Sequence, residues 1–283
     1  MKKSMFLSLA LLILGVSSVS AADEPRMLRA LNVQNAHIET ELDRNTELRV
    51  NFDWFRDHVE IGGADVRTNT FNLPRVDIRH SFDCKVPLRI GVNMPLSAGA
   101  QEFGGGGGSE FLEHSAFGFG NLGITLEAGI VQTDSVDITM YLNQSIPFVH
   151  NNLLIAQTLR PQNGVNAYGF QTGLLYQVGM GDHLIWYGDV GYRFDVPELG
   201  EVENSVVYYN ELVLGMGDNN SFGLSVGLLG NSVFNNGVGT DLRLVPGIII
   251  PIGEKSQLRA GMPFGLTSDS ADIGAQISYF TMF

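Results

Sequence analysis

The chain has 283 residues, with 17 Lys and Arg against 30 Asp and Glu, and a formal net charge of −13. Such acidity argues against nucleic acid as a partner, because the phosphates would be repelled. The single cysteine, Cys84, excludes an internal disulfide. With 34 glycines and few helix signals, the composition favours an all-β protein.

The first 21 residues have the pattern of a cleaved secretory signal peptide. Lys2 and Lys3 precede an apolar run from Met5 to Val16, and small residues lead to a cut after Ala21. Removal of residues 1–21 takes away two lysines and no acids, so the mature charge becomes 15 − 30 = −15. No later stretch approaches the roughly 20 apolar residues of a spanning helix.

After the signal peptide we expect a periplasmic leader, residues 22–45, and then one barrel domain, residues 46–283. Period-two alternation of apolar and polar residues predicts the strands of this domain. The predicted strands are 46–54, 69–81, 85–95, 116–130, 135–145, 164–178, 183–194, 204–215, 221–231, 240–252, 257–266 and 271–283. A further hairpin arm at 147–157 would raise the number from twelve to fourteen. In the strand 204–215, Glu211 facing inward would put Asn210 outward, so its register stays open.

The connections between these strands sort by length into two groups. Short turns are predicted at 82–85, 132–134, 179–182, 217–220 and 253–256. Longer loops are predicted on the opposite side, at 55–68, 96–115, 146–163, 195–203 and 232–239, with a brief one at 267–270. Short periplasmic turns and long outer loops are typical of bacterial outer-membrane barrels. We therefore predict a transmembrane antiparallel β-barrel with both termini in the periplasm.

The last strand alternates strictly and ends on an aromatic residue. Its outward face carries Ile273, Ala275, Ile277, Tyr279, Thr281 and Phe283. A soluble edge strand would tolerate this alternation but gives no reason for the terminal Phe283. Ile277, Tyr279 and Phe283 resemble the assembly signal of bacterial outer-membrane barrels, which implies the barrel-assembly machinery and outer-membrane lipid as partners.

Aromatic residues concentrate at the two ends of the strands, as the interface girdles of a membrane barrel do. Outward parity puts Phe52, Trp54, Tyr168, Phe170, Tyr192, Phe194 and Phe264 near the outer rim. Tyr176, Trp186, Phe222, Tyr279 and Phe283 fall near the periplasmic rim. High strand propensity explains their presence but not this sorting.

The residues that the alternation places on the inward face include charged side chains of both signs. The inward charged residues are Arg49, Arg75, Asp77, Arg79, Arg89, Glu127, Asp137, Asp189, Arg193, Asp241, Arg243, Arg259 and Asp272. Among them, the candidates for a lumenal constriction are Arg79, Arg89, Glu127, Asp137, Asp189, Arg193, Asp241, Arg243 and Arg259. Such charges could line a water-filled passage or could be salt-bridged filling of the interior. Inward glycines, Gly173 and Gly191 among them, are expected to leave space for a solute.

The glycine run and the histidines are two further candidates for a site. The run Gly104–Gly108 lies in a predicted outer loop that could fold into the mouth as a gate, although a plain surface loop is the preferred interpretation. It lacks the Lys-Ser/Thr partner of a phosphate cradle. The six histidines show no metal spacing, so neither metal nor cofactor is expected.

An enzyme is the alternative of a different class. Outer-membrane phospholipase A is also a twelve-stranded barrel, with a His-x-Ser-Asn-Gly segment that carries its nucleophile. The segments at His114 and His150 depart from that pattern, so no activated serine can be assigned. We therefore expect no enzymatic activity, and a lipid hydrolase is the weaker alternative.

The signal peptide, the chain length, the aromatic carboxy-terminus and the phrase Gly118-Phe119-Gly120-Asn121-Leu122-Gly123 resemble outer-membrane proteins of the meta-pathway phenol degradation type. That resemblance implies a channel for small, often aromatic or hydrophobic compounds, and it assigns no binding residue. The sequence thus predicts an outer-membrane channel for passive diffusion of a small solute. A structural or surface-binding barrel with a plugged lumen is the alternative.

Overall fold

The computed structural model describes residues 28–41, 44–61, 64–105, 109–147, 167–197, 202–234 and 239–283. The strands are β1 Thr46–Ile61, β2 Ala64–Phe82, β3 Leu88–Gly105, β4 Ser109–Phe119, β5 Leu122–Gln132, β6 Val136–Ile146, β7 Ala167–Met180, β8 Leu184–Pro197, β9 Glu203–Met216, β10 Phe222–Val233, β11 Thr240–Ile252, β12 Ser256–Gly261, β13 Phe264–Gly265 and β14 Ile273–Met282. One 3₁₀ turn, Asp218–Asn220, precedes β10. Within these described ranges, no helix has the length and apolar character needed to cross a membrane.

Twelve strand positions close the sheet into a barrel. β1 pairs antiparallel with β2 on one side and with β14 on the other. At the seam, Phe283 N donates to Thr46 O at 2.9 Å. β12 and the two-residue β13 share one position between β11 and β14. The predicted all-β, twelve-stranded antiparallel barrel is confirmed, and β4 is an additional strand that pairs with β3 outside the ring.

The predicted strand 116–130 is two strands, because β4 and β5 lie end to end along β3. Residues 96–105 of β3 pair with β4, whereas residues 88–93 pair with β5. The break between β4 and β5 falls at Gly120 and Asn121, within the glycine-rich segment 118–123. A Cβ at Gly120 would lie 2.6 Å from Pro95 Cγ, so this close crossing of β3 requires glycine.

Two predicted outer loops are wrong, because strands fill most of them. β1 runs to Ile61 and β2 starts at Ala64, where a loop was predicted over 55–68. β3 runs to Gly105 and β4 starts at Ser109, where the loop 96–115 was predicted. The backbone of β3 pairs there with β2 and β4 together, which satisfies its hydrogen-bonding groups whatever the side chains are. The centre of the glycine run, 106–108, and the hairpin arm at 148–157 lie outside the described residues.

Side chains alternate between an apolar exterior and a polar interior. On β5 and β6, Leu126, Met140 and Leu142 are about half exposed, whereas Glu127 and Thr139 are buried. The predicted girdle aromatics Phe52, Tyr168, Tyr192, Trp186, Phe222, Tyr279 and Phe283 are likewise exposed on the outside. This exposed apolar band over a polar interior is the pattern of a barrel that faces lipid.

The register of β9 follows the option with Glu211 inward. Glu211 is buried, and Asn210 faces outward. There the Asn210 Oδ1 accepts from the Tyr176 hydroxyl and from Trp186 Nε1, the latter at 3.2 Å. The outward amide thus obtains its partners from the aromatic girdle.

The short connections lie at one end of the barrel, together with the start of β1 and the end of β14. We call this end the terminal end. Its turns between β7 and β8 and between β11 and β12 use Gly181 and Gly253 at φ 77° and 68°, which glycine adopts most readily. The predicted short turns are therefore found together at one end, the end at which β1 starts and β14 ends.

Candidate solute pathway and its internal plug

The segment 28–41, predicted as part of a leader outside the barrel, lies inside the lumen. We call it the plug. Its backbone is held on one side by β8, β9 and β12. Tyr187 donates its hydroxyl to Leu28 O at 2.5 Å, and the two oxygens of Glu211 accept from the backbone N–H groups of Leu31 and Asn32 at 2.8 and 2.9 Å.

The plug is also held on the opposite side of the lumen, by β3, β5 and β6. Arg89 donates to Asn35 O at 2.7 Å, and Thr139 Oγ1 donates to Ala36 O at 2.6 Å. Gln132 Oε1 accepts from Ile38 N at 2.9 Å. Since barrel side chains from both sides satisfy the plug backbone, it needs no regular secondary structure of its own.

The wall residues that hold the plug all lie within a few residues of the terminal end. They are Glu47, Arg89, Gln132, Asp137, Thr139, Tyr187, Glu211, Gln257, Arg259 and Met282. Leu28, Ala30 and Val33 form a buried apolar cluster with Tyr187, Val213 and Ile249. The plug therefore occupies the lumen near the terminal end.

Arg89 is the centre of a buried ionic cluster beside the plug. Its guanidinium lies 2.9 Å from Glu47 Oε1 and also pairs with Glu127. Arg79 pairs with the other oxygen of Glu127. Arg89 is completely buried, so it joins the wall to the plug and does not line open space. Glu47 was not among the predicted candidates, although it lies two residues before Arg49 on β1 and therefore faces the same side of the strand.

His37 attaches the plug to β6. Its Nδ1 lies 3.0 Å from Asp137 Oδ1, and this hydrogen bond raises the pKa of His37 above its usual value of 6.5. A group whose pKa is raised on folding contributes stability at pH values below its unfolded pKa. This contribution is lost as the pH rises through the folded pKa.

We expect His37→Gln to lower the stability of the folded barrel more at acidic than at alkaline pH. The protonated imidazole is the form that Asp137 stabilises, so the difference from wild type should be largest at about pH 5.5 and smallest at about pH 9, on either side of the imidazole range. Urea unfolding in lipid vesicles at the two pH values measures it. An equal difference at both would show that the ion pair with Asp137 contributes nothing.

Inward glycines make room for large side chains and do not widen a free passage. A Cβ at Gly191 would clash with the Tyr141 hydroxyl, whereas a Cβ at Gly173 would clash first with the backbone of Val190 and Gly191 and lie 2.9 Å from that hydroxyl. A Cβ at Gly261 would clash with Leu31 Cδ2 of the plug. The expectation that these glycines leave space for a solute is wrong at such positions, because neighbouring side chains occupy the space.

Beyond the plug, the lumen contains two adjoining cavities of about 300 and 230 Å³. Asn32, Arg75, Arg193 and Tyr209 border both. The larger cavity is also lined by Arg49, Asp77, Arg79, Asn93, Glu127, Tyr141, Asn143, Gln171 and Asp189. The smaller is also lined by Asn51, Asp53, Asn231, Asp241, Arg243, Gln276 and Ser278. Charged groups and amides dominate both linings, which suits a polar solute.

The predicted lumenal residues separate into two groups. Arg89, Asp137 and Arg259 hold the plug, and Arg259 also donates to Ser278 Oγ at 2.9 Å. The others line the cavities: Arg79, Glu127, Asp189, Arg193, Asp241 and Arg243. The structure thus brings six of the nine candidates to open space.

Several of the cavity residues are paired along their own strands. Arg193 Nε lies 2.7 Å from Asp195 Oδ2, and Arg243 Nη2 lies 2.5 Å from Asp241 Oδ2. These pairs come from residues two apart on one strand, which share a face. Local pairing of this kind fixes the side chains against the wall and keeps them from spanning the lumen.

The predicted assembly residues keep their outward parity on β14. Tyr279 and Phe283 are exposed, whereas the intervening Phe280 and Met282 face the lumen and are buried. Phe280 lies 4.9 Å below the guanidinium of Arg29, which places an apolar residue of the last strand against the plug.

No family model matches the chain, and no curated protein is found to match it. Solved structures do match. An outer membrane channel from Pseudomonas putida F1 aligns with a TM-score of 0.61 and 12% identity, covering 89% of this chain and 100% of that one. The transport unit of the autotransporter AIDA-I from Escherichia coli aligns with a TM-score of 0.55 and 8% identity, covering 91% and 93%. The chain therefore has the fold of outer-membrane β-barrels.

Proposed function

We propose that this chain is an outer-membrane channel through which a small polar solute diffuses passively. The observation that carries the proposal is the pair of polar cavities inside a closed barrel whose exterior is apolar. A signal peptide at 1–21 would direct the chain across the inner membrane. Ile277, Tyr279 and Phe283 would then direct it to the barrel-assembly machinery, and the terminal end would face the periplasm.

The nature of the solute follows from the cavity linings. The sequence resemblance to the meta-pathway phenol degradation type implies aromatic or hydrophobic compounds. Burial of an apolar solute against arginines and carboxylates would cost the hydration of those charged groups. A polar solute can replace that water with hydrogen bonds, so the linings favour it.

The plug favours a second candidate, a structural or surface-binding barrel whose lumen stays closed. Its backbone is hydrogen-bonded to both sides of the lumen. Under the channel proposal, the plug must move aside or rearrange for a solute to pass. The two candidates therefore differ in whether the plug is displaced in the membrane.

A reversible tether on the plug separates the two candidates. Ala36 and Thr139 are both fully buried, and Thr139 Oγ1 lies 2.6 Å from Ala36 O. We would introduce Ala36→Cys and Thr139→Cys in a Cys84→Ser background and record single-channel currents in a planar bilayer. The channel proposal predicts discrete conductance steps in the reduced protein, their loss on oxidation and their return with reductant.

The Ala36→Cys variant without the second cysteine is the matched control and should conduct under both conditions. Complete silence from a folded, heat-modifiable wild-type barrel would reject the channel and support the plugged barrel. Steps that persist after the disulfide has formed would show that passage does not require movement of the plug at Ala36.

A further inference from the structure

The larger cavity carries unlike charges on opposite walls. From β1, the barrel order runs through β2, β3, β5, β6 and β7 to β8, six positions around a ring of twelve. The strands that carry Arg49 and Asp189, β1 and β8, therefore lie on opposite sides of the ring. Both line the same cavity of about 300 Å³.

Among the described residues, Arg49 is the arginine on the β1 side of this cavity that has no acidic partner. It is 93% buried, since only 7% of its surface is exposed. Among the described residues, no carboxylate lies within 4.0 Å of its guanidinium, and its Nη2 has no hydrogen-bond partner. The carboxylates nearby are already engaged by other arginines: Glu47 by Arg89, Asp77 by Arg75, and Glu127 by Arg79 and Arg89.

Asp189 is the matching carboxylate on the far wall. Its Oδ1 accepts from the Tyr141 hydroxyl at 2.7 Å, and that hydroxyl in turn accepts from Gln171 Nε2 at 2.6 Å. Within the described ranges, no Lys, Arg or His lies within ion-pair distance of Asp189. Arg193, four residues further along the same face of β8, is engaged by Asp195.

We propose that this cavity binds a zwitterionic solute, with a carboxylate at Arg49 and an ammonium group at Asp189, as in a short peptide. This inference rests on the proposed channel function and names its solute class. A solute that carries both charges gains from both walls at once, whereas an ion of either sign meets one wall of like charge. Asn143, whose buried Oδ1 has no partner among the described residues, borders the same cavity and can accept from a peptide N–H.

The test compares four solutes of similar size that differ in charge. They are glycylglycine, a zwitterion; N-acetylglycinamide, neutral; N-acetylglycine, an anion; and glycylglycinamide, a cation. Their entry into vesicles that contain the refolded wild-type protein is followed by light scattering, with protein-free vesicles subtracted. We expect glycylglycine to enter about tenfold faster than the other three, a factor equivalent to about 1.4 kcal/mol.

Two variants assign the effect to the opposed charges. Arg49→Gln and Asp189→Asn should each bring the rate for glycylglycine close to that of N-acetylglycinamide. Lys85→Gln and Asp83→Asn make the same changes of charge in an exposed turn and should leave the preference unchanged. If Arg49→Gln fails to fold, Asp189→Asn and the wild-type solute series still decide the question.

The possible failures are distinct. Equal entry of all four solutes through the wild-type protein would overturn the zwitterion site and leave the channel in place. A preference for glycylglycine that survives both lumenal variants would overturn the assignment to Arg49 and Asp189. No protein-dependent entry of any solute would reject the channel function itself, and the site with it.

Discussion

Deletion of residues 28–41 is expected to raise the single-channel conductance several-fold. The plug occupies the lumen near the terminal end, where it binds residues from β3, β5, β6, β8, β9 and β12. Without it, water and ions reach that section of the lumen, and the arginines and carboxylates that held the plug become hydrated. Planar bilayer recordings of wild type and deletion variant under the same salt conditions measure the change.

A peptide with the sequence of residues 28–41 provides the control for this deletion. Added to the deletion variant, it should restore the smaller wild-type conductance in a concentration-dependent manner, whereas a scrambled peptide of the same composition should not. Unchanged conductance in a folded deletion variant would mean that the plug does not limit the current, and that another part of the lumen does.

Replacement of Arg89 by Gln is expected to cost about 3–5 kcal/mol of the free energy of unfolding, the range for breaking a buried ion pair. The change leaves Glu47 and Glu127 buried with less compensating charge, and it removes the donor to Asn35 O and His37 O. Arg79 keeps its pair with Glu127, so the effect should arise mainly at Glu47 and at the plug.

Urea titration of the vesicle-embedded protein, followed by the fluorescence of Trp54 and Trp186, measures the loss. Lys85→Gln removes a positive charge from an exposed turn and should be nearly neutral. The double variant Arg89→Gln/Glu127→Gln should lose less than the sum of the two single variants, since the residues interact directly. Additive losses would contradict the contact between Arg89 and Glu127.

The exterior and the closure of the barrel could be predicted from the sequence. Alternation with a period of two fixes which side chains share a face, and it placed Leu126 and Met140 outside and Glu127 inside. An even number of strands and the short turns at one end followed from the same alternation and from the turn glycines, Gly181 and Gly253. The alternation and the turn residues are local, so a short window of residues determines each of them.

How far the strands extend at the end opposite the terminal end depends on backbone pairing with adjacent strands. β3 continues to Gly105 because β2 and β4 pair with its backbone, although the glycine-rich sequence there is typical of a loop. β4 and β5 are separate strands because Gly120 crosses close to Pro95. Backbone pairing across strands contributes hydrogen bonds that no local propensity reports.

The position of the plug inside the lumen depends on the tertiary structure alone. Residues 28–41 show no regular alternation, and their backbone groups obtain partners such as Glu211, Arg89 and Thr139 only after the barrel has closed around them. The sequence determined that polar and charged residues face the lumen. Which of them hold the plug, which are paired on the wall and which, like Arg49 and Asp189, face a cavity depends on distances between residues far apart in the chain.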